Sequence, residues 1–139
     1  MNKIILSIMV FGLIGCATSP VSPDKAKIVP KDRLFAYQDI ISDGAQLTVV
    51  RDSGYLGSGC YSGFYLSGKR VASLDVGERA DFYIPPGEWI LGIKGEGAVC
   101  LSDGYLTEKK ISIKSKQHKA VRIYSNISGV VDIKSISIN

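Results

Sequence analysis

The sequence predicts an all-β protein, an antiparallel β-sandwich of about seven to nine short strands, preceded by a signal peptide and a flexible tether. Three observations predict it. Beyond residue 31 the chain is a succession of short runs rich in Val, Ile, Tyr, Phe and Thr. Gly, Ser, Asp and Asn interrupt these runs at intervals of about eight to twelve residues, a spacing that suits a sandwich or barrel. No segment carries a helical period of useful length, although one turn of helix around Asp39 to Asp43 would fit.

The chain starts with a short basic piece, Met1-Asn2-Lys3, followed by an apolar run from Ile4 to Ile14 and then Gly15-Cys16. At about 1.5 Å per residue that run covers roughly half of a ~30 Å hydrocarbon core, too short for a spanning helix and right for the apolar part of a secretory leader. Leu13-Ile14-Gly15-Cys16 resembles the lipobox read by lipoprotein signal peptidase. The resemblance implies cleavage before Cys16, a diacylglyceryl thioether on its sulfur and a further acyl chain on the new amino terminus, an attachment that two or more chains make stable. Ala17, rather than Asp, resembles the sorting pattern of outer-membrane lipoproteins facing the periplasm. The competing reading is an ordinary cleaved leader with Cys16 as a chance thiol. The domain layout expected is therefore signal peptide 1–15, lipidated cysteine and tether 16–31, and one sandwich domain 32–139.

Removing residues 1–15 takes away Lys3 and no acid, so the formal charge falls from +4 to +3, too weak a bias to name a partner. Of three cysteines, lipidation of Cys16 would leave Cys60 and Cys100 as an even pair in an oxidising compartment, and we expect a disulfide between them. The ~40-residue loop is worth roughly 4 kcal/mol in the chain-entropy model. A reactive or metal-binding thiol pair is the alternative, with no nearby His or third cysteine to support it.

The tether reading rests on Pro20, Pro23 and Pro30 among Ser and Lys, without apolar periodicity; as a free chain it would span about 20 Å. Strands are expected near 33–37, 46–51, 61–66, 69–74, 80–84, 88–94, 108–114, 120–125 and 130–138. Alternation puts Leu47 and Val49, Phe82 and Ile84, Trp89, Leu91 and Ile93, Ile111 and Ile113, and Val121 and Ile123 in the core. Thr48, Asp81, Ser112, Lys114 and Arg122 fall on the solvated face. In the last strand Val131 and Ile133 differ in parity from Ile136 and Ile138, which predicts a bulge or a sheet-crossing bend near Lys134. Leu66-Ser67-Gly68-Lys69 is a tight hairpin signal and Pro85-Pro86-Gly87 a rigid bend.

The run Gly57-Ser58-Gly59-Cys60, Phe64-Tyr65-Leu66-Ser67-Gly68-Lys69-Arg70-Val71, Leu74-Asp75-Val76-Gly77-Glu78 and Phe82-Tyr83-Ile84-Pro85-Pro86-Gly87-Glu88-Trp89 resembles small, uncharacterised Gram-negative envelope lipoproteins. It is also similar to the carbohydrate-surface module called PEGA over residues 47–95. The resemblance implies a β-sandwich core without enzymatic activity, and the two extra cysteines depart from the PEGA pattern.

No catalytic constellation assembles in the sequence, and no metal or cofactor is expected. The single histidine, His118, sits in the basic run Lys114-Ser115-Lys116-Gln117-His118-Lys119 and reads as an exposed turn residue. The glycine-rich loop 53–63 is neither a nucleophile elbow nor a phosphate loop, but its Tyr55 and Tyr61 could form a contact surface. Lys109, Lys110, Lys114, Lys116, Lys119 and Arg122 fall within fourteen positions and read as a basic hairpin. Such a hairpin would suit anionic lipid, lipopolysaccharide or an acidic partner, or simply a solvated edge on which Lys discourages aggregation. The partners expected are the membrane through the lipid anchor, an envelope protein, and a glycan or anionic lipid. Nucleic acid is excluded by compartment. The function expected is that of a non-catalytic binding or structural module, with an accessory subunit of a secretion or conjugation apparatus, or a saccharide binder using Tyr55, Tyr61 or Tyr105, as the rivals. Cys60→Ser should lower the melting temperature of the oxidised protein by several degrees or more, checked by thermal unfolding; equal melting of variant and parent would refute the structural disulfide.

Overall fold

Alternating apolar residues need a second apolar layer to cover them, and here the strands of both sheets, β1 with its two exposed residues excepted, find it across an inter-sheet core. The computed structural model describes residues 18–54, 59–97, 106–126 and 130–138. The expected signal peptide, Cys16, Tyr55, Cys100 and Tyr105 lie outside the described residues. In chain order the strands are β1 (Lys27–Ile28), β2 (Ala45–Arg51), β3 (Tyr61–Leu66), β4 (Lys69–Leu74), β5 (Glu78–Ile84), β6 (Gly87–Glu96), β7 (Thr107–Ile113), β8 (His118–Ser125) and β9 (Val131–Ile136). They form a first sheet in the order β1-β5-β2-β8-β9 and a second in the order β4-β3-β6-β7. The pairings β1–β5 and β2–β8 are parallel and the rest antiparallel.

Every residue assigned to the core by alternation is in it or packed against it: Leu47, Val49, Phe82, Ile84, Leu91, Ile93, Ile113, Val121 and Ile123 are buried, and Trp89 and Ile111 are half-buried beside them. Each fully buried side chain of this size contributes about 1.5–3 kcal/mol. Phe64 of the second sheet stacks on Phe82 of the first with centroids 5.6 Å apart. The β3–β4 hairpin turns on Ser67 and Gly68, both at positive φ, as a two-residue primed turn requires.

The segment expected to be a free tether is laid on the sandwich. Thr18 N–H donates to Ser125 C=O (3.2 Å), Ser19 and Ser53 form a bridge, Arg79 Nη1 donates to Pro23 C=O (2.8 Å), and β1 then runs beside β5. The chain thus crosses the outer face of the first sheet from β8 past the end of β2 to β5. That covering explains why Val50, outside the inter-sheet core, is nonetheless fully buried. It also explains why Arg122, expected in solvent, forms an ion pair with the buried Asp52: the Arg122 guanidinium and the Thr18 hydroxyl both donate to the same Asp52 oxygen, Oδ2.

The expected strand at 33–37 is instead a 3-10 turn (Lys31–Arg33) followed by a single bridge, Leu34 to Ala72. The reason is that this stretch serves both sheets: Phe35 N–H donates to Val71 C=O in the second, and Tyr37 C=O accepts from Tyr83 N–H in the first. Leu34, Ala36 and Tyr37 close the core between them. Neither the bulge nor the sheet-crossing bend predicted near Lys134 occurs, since β9 stays in the first sheet and pairs with β8 without interruption from Val131 to Ile136. Ile136 changes parity because it lies on the outer face opposite Ala120, itself buried. A register shift occurs instead where β4 meets β3 between Phe64 and Tyr65, and it leaves both Val71 and Ala72 fully buried. Lastly, β7 and β8 are not a hairpin, because β7 is an edge of the second sheet and β8 lies inside the first.

Arg33 fastens the closing segment. Its guanidinium makes two 2.7 Å bonds to the Glu78 carboxylate and one of 3.0 Å to Ser73 C=O. Burial raises the Glu78 pKa, but the Arg33 hydrogen bonds, the Asp75 N–H and the charges of Arg33 and Arg51 outweigh it and hold the carboxyl below its ordinary 4.5. In the second sheet, burial likewise works against Glu96, and Arg70 with the Ser73 hydroxyl brings it below 4.5. Both acids bind protons less readily folded than unfolded, so their stabilisation is present above about pH 4.5 and is lost as pH falls through the lower folded values. Arg33→Gln should therefore cost about 2–3 kcal/mol at pH 7, and the variant should lose less stability than the parent on acidification; denaturant titration at pH 7 and pH 3 checks this.

Candidate functional site

The two ends of the sandwich differ. At one end, here proximal, lie Thr18, the close of β2, the start of β3 and the close of β4, held together by Arg51. Its Nη1 donates to Cys60 C=O (2.6 Å) and Leu74 C=O (2.8 Å), and burial lowers its pKa. At the distal end β2 and β8 begin, and a turn at 41–44 brings the chain into β2.

The distal end holds a cavity of about 190 Å³ lined by Ile40, Ile41, Gln46, Tyr83, Lys116 and His118, among others. Gly44 gives Ile41 its place, since a Cβ there would run into the Ile41 side chain. Ile40 is 80% exposed and Ile41 38%, so the mouth has an apolar lip while the wall offers an amide, a phenol, an ammonium and an imidazole. Lys116 sits at φ +60° in the link between β7 and β8, its N–H bonded to Gly44 C=O and its ammonium 3.6 Å from Asp43.

Behind the cavity, neighbouring strands of the first sheet line up Asp81, Thr48 and His118. Thr48 Oγ1 donates to Asp81 Oδ1 (2.5 Å) and lies 2.8 Å from His118 Nε2, while Arg79 Nε donates to Asp81 Oδ2 (3.1 Å). The order acid, hydroxyl, imidazole superficially matches a hydrolase. Here, however, the hydroxyl is the middle member, it is 3% exposed, and its proton is directed at the carboxylate. A nucleophile needs the reverse, a proton handed to the base and an oxygen open to substrate. The network ties three strands together.

The expected basic cluster is dispersed. Lys109 Nζ reaches from β7 to Ile133 C=O of β9 (2.9 Å), closing the second open side of the sandwich. Lys110 pairs with Glu88 across β6 and β7 (2.9 Å). Lys119 Nζ donates to Ser112 C=O, Arg122 pairs with Asp52 on the outer face of the first sheet, and Lys114 is exposed beside the β7–β8 link. Of the six, Lys116 lines the cavity. Tyr61 is 43% exposed with the Arg33 guanidinium 4.8 Å from its ring centroid, so one face is already covered; Tyr55 lies outside the described residues. Cys60 is disulfide-bonded and directly precedes Tyr61, which pairs with Glu96, four residues before Cys100. Among the described residues no group of three or more His, Cys, Asp or Glu could hold a metal ion.

Sequence reasoning did not single out Ile40 and Ile41. The signal was present, a pair of isoleucines between Asp39 and Asp43 that belongs to no alternating run. His118 lies beside the cavity with a partner rather than in a free turn. No family model matches this chain, and a search of the curated proteins finds no match either. Thr48→Val should lower stability by about 1–2 kcal/mol, because it strips both neighbours of a buried bonding partner, whereas Thr48→Ser should retain most of it; paired denaturant unfolding curves check the difference.

Proposed function

We propose that this chain is a lipid-anchored protein of the bacterial envelope, cut before Cys16 and acylated there, that works as a non-catalytic binding module on the periplasmic face of the outer membrane. The observation that carries the binding half is the Ile40–Ile41 lip over a polar-backed cavity at the end of the sandwich farthest from the path to Cys16. Exposed isoleucines beside a concave wall with a few convergent polar groups are the kind of surface that a partner's apolar side chain fills. Four of the described acids are engaged structurally: Glu78 with Arg33, Glu96 with Arg70, Asp52 with Arg122 and Asp81 with Thr48 and Arg79. The partner we favour is another envelope protein, since the cavity is small for a glycan chain and its lip is aliphatic, where sugars stack on aromatic rings.

A photo-crosslinking residue placed at Ile40 and, separately, at Lys110 of the membrane-bound protein in cells tests this. Adducts to one recurring protein at Ile40, at least five-fold above Lys110 and abolished by Ile41→Asp, are expected. Equal, scattered labelling at both positions would overturn the distal-end reading.

A further inference from the structure

We infer that the proximal end of the sandwich is seated on the lipid surface through Val130, Val131 and the Tyr124–Lys134 pair, so that the domain stands upright with the Ile40 cavity turned away from the bilayer. This rests on acylation of Cys16.

The first ground is chain length. Thr18 is fixed by three bonds of its own, its N–H to Ser125 C=O (3.2 Å) and its hydroxyl accepting from Ser125 N–H (2.9 Å) and donating to Asp52 (3.1 Å), and by that of its neighbour, Ser19 N–H to Ser53 C=O (2.6 Å). From Cys16 to Thr18 is two residues, which span at most about 7 Å. An acylated Cys16 sulfur lies at the headgroup level, so the proximal end is held within that distance of it. A free tether of fifteen residues would have imposed nothing of the kind.

The second ground is what the proximal end presents. Val131 pairs with Ser125, the residue that holds Thr18, and Val130 C=O accepts from Asn126 N–H. Val130 is 57% exposed and Val131 42%. Just above them on the outer face of the first sheet, Tyr124 is half-buried, with Lys134 Nζ 5.5 Å from its ring centroid. Apolar tips below an aromatic ring and an ammonium reproduce the layering of a membrane interface, where acyl chains give way to the headgroup belt favoured by Tyr and Lys. Among the described residues nearby, Asp52 is paired with Arg122, and the Asp132 carboxylate next to Val131 accepts from the Tyr124 hydroxyl (3.5 Å).

Two valines and a tyrosine would not hold a free protein on a membrane. They need not, because the anchor supplies a high local concentration and the contact only has to choose among orientations. Seven residues of β2 at about 3.3 Å each then lift the cavity roughly 20–25 Å clear of the headgroups.

The test uses the full-length acylated protein in vesicles of phosphatidylcholine and phosphatidylglycerol, with and without bromine at the shallow acyl carbons. The single tryptophan, Trp89, donates to Pro85 C=O near the start of β6 and so reports on the distal end. A second reporter is Val130→Trp in a Trp89→Phe background, with Val131→Trp as its duplicate should either fold poorly. We expect brominated lipid to quench the residue-130 tryptophan at least two-fold and Trp89 by less than a tenth. Equal, weak quenching of both, in protein whose intact mass shows acyl chains on Cys16, overturns the seating and leaves the anchor standing. An intact mass without acyl chains overturns the anchor, and the seating with it.

Discussion

A two-layer β-fold must dispose of its edges. A chain that changes sheet leaves strand edges facing outwards, and an unpaired edge offers backbone donors and acceptors to any passing strand. Here the demand is greatest where β4 ends one sheet and β5 runs near the margin of the other. The stretch from β1 to Gln38 meets it by bonding to both: Phe35 N–H to Val71 of β4, and Val29 N–H to Arg79 C=O, Tyr83 N–H to Tyr37 C=O and the Gln38 amide to Asp81 C=O along β5. Arg33 and Glu78 fix that stretch in the middle, where Glu78 also receives Asp75 N–H and so sets the turn between β4 and β5. The core is shut on this side because the segment is pinned there, and on the opposite side because Lys109 ties β7 to β9.

What was legible in the sequence was local. Alternation in β2, β5, β6, β7 and β8 named the core correctly because a period of two survives whatever the strand pairs with. Ser67-Gly68 named a turn because so few residues tolerate its backbone. What was illegible depended on pairing across sequence distance. Six cations between Lys109 and Arg122 look like one patch on a string of letters, yet β7 and β8 join different sheets, and each cation finds its own surroundings. Likewise Pro, Ser and Lys around Pro20 and Pro23 have the composition of a linker, and a strap laid over a sheet face uses the same residues, because among its described residues Val29 alone enters the core. The isoleucines at 40 and 41 escaped because exposure, not identity, makes them notable.

The polar network near the cavity answers to the same constraint of pairing. Asp81, Thr48 and His118 would be a poor choice for three separate surface positions, since each needs a partner once the strap and the turn at 41–44 crowd that face. Placed on adjacent strands in register, they satisfy one another, and Arg79 links them to the strap through Pro23 C=O. The first sheet therefore has its hydrogen bonding completed partly by the amino-terminal segment, which makes that segment part of the domain.

The pairing of Thr18 with Ser125 joins residues 107 positions apart. A chain delivered from its amino end has no Ser125 to offer until nearly all of it has emerged, so the docking place for Thr18 is the last to be built. Until then Thr18 and Ser19 have no strand to lie against, and completion of β8 gives them one. The order of assembly is thereby written into the fold: the strap over the first sheet is the earliest part of the described chain to be made and the last to find its place.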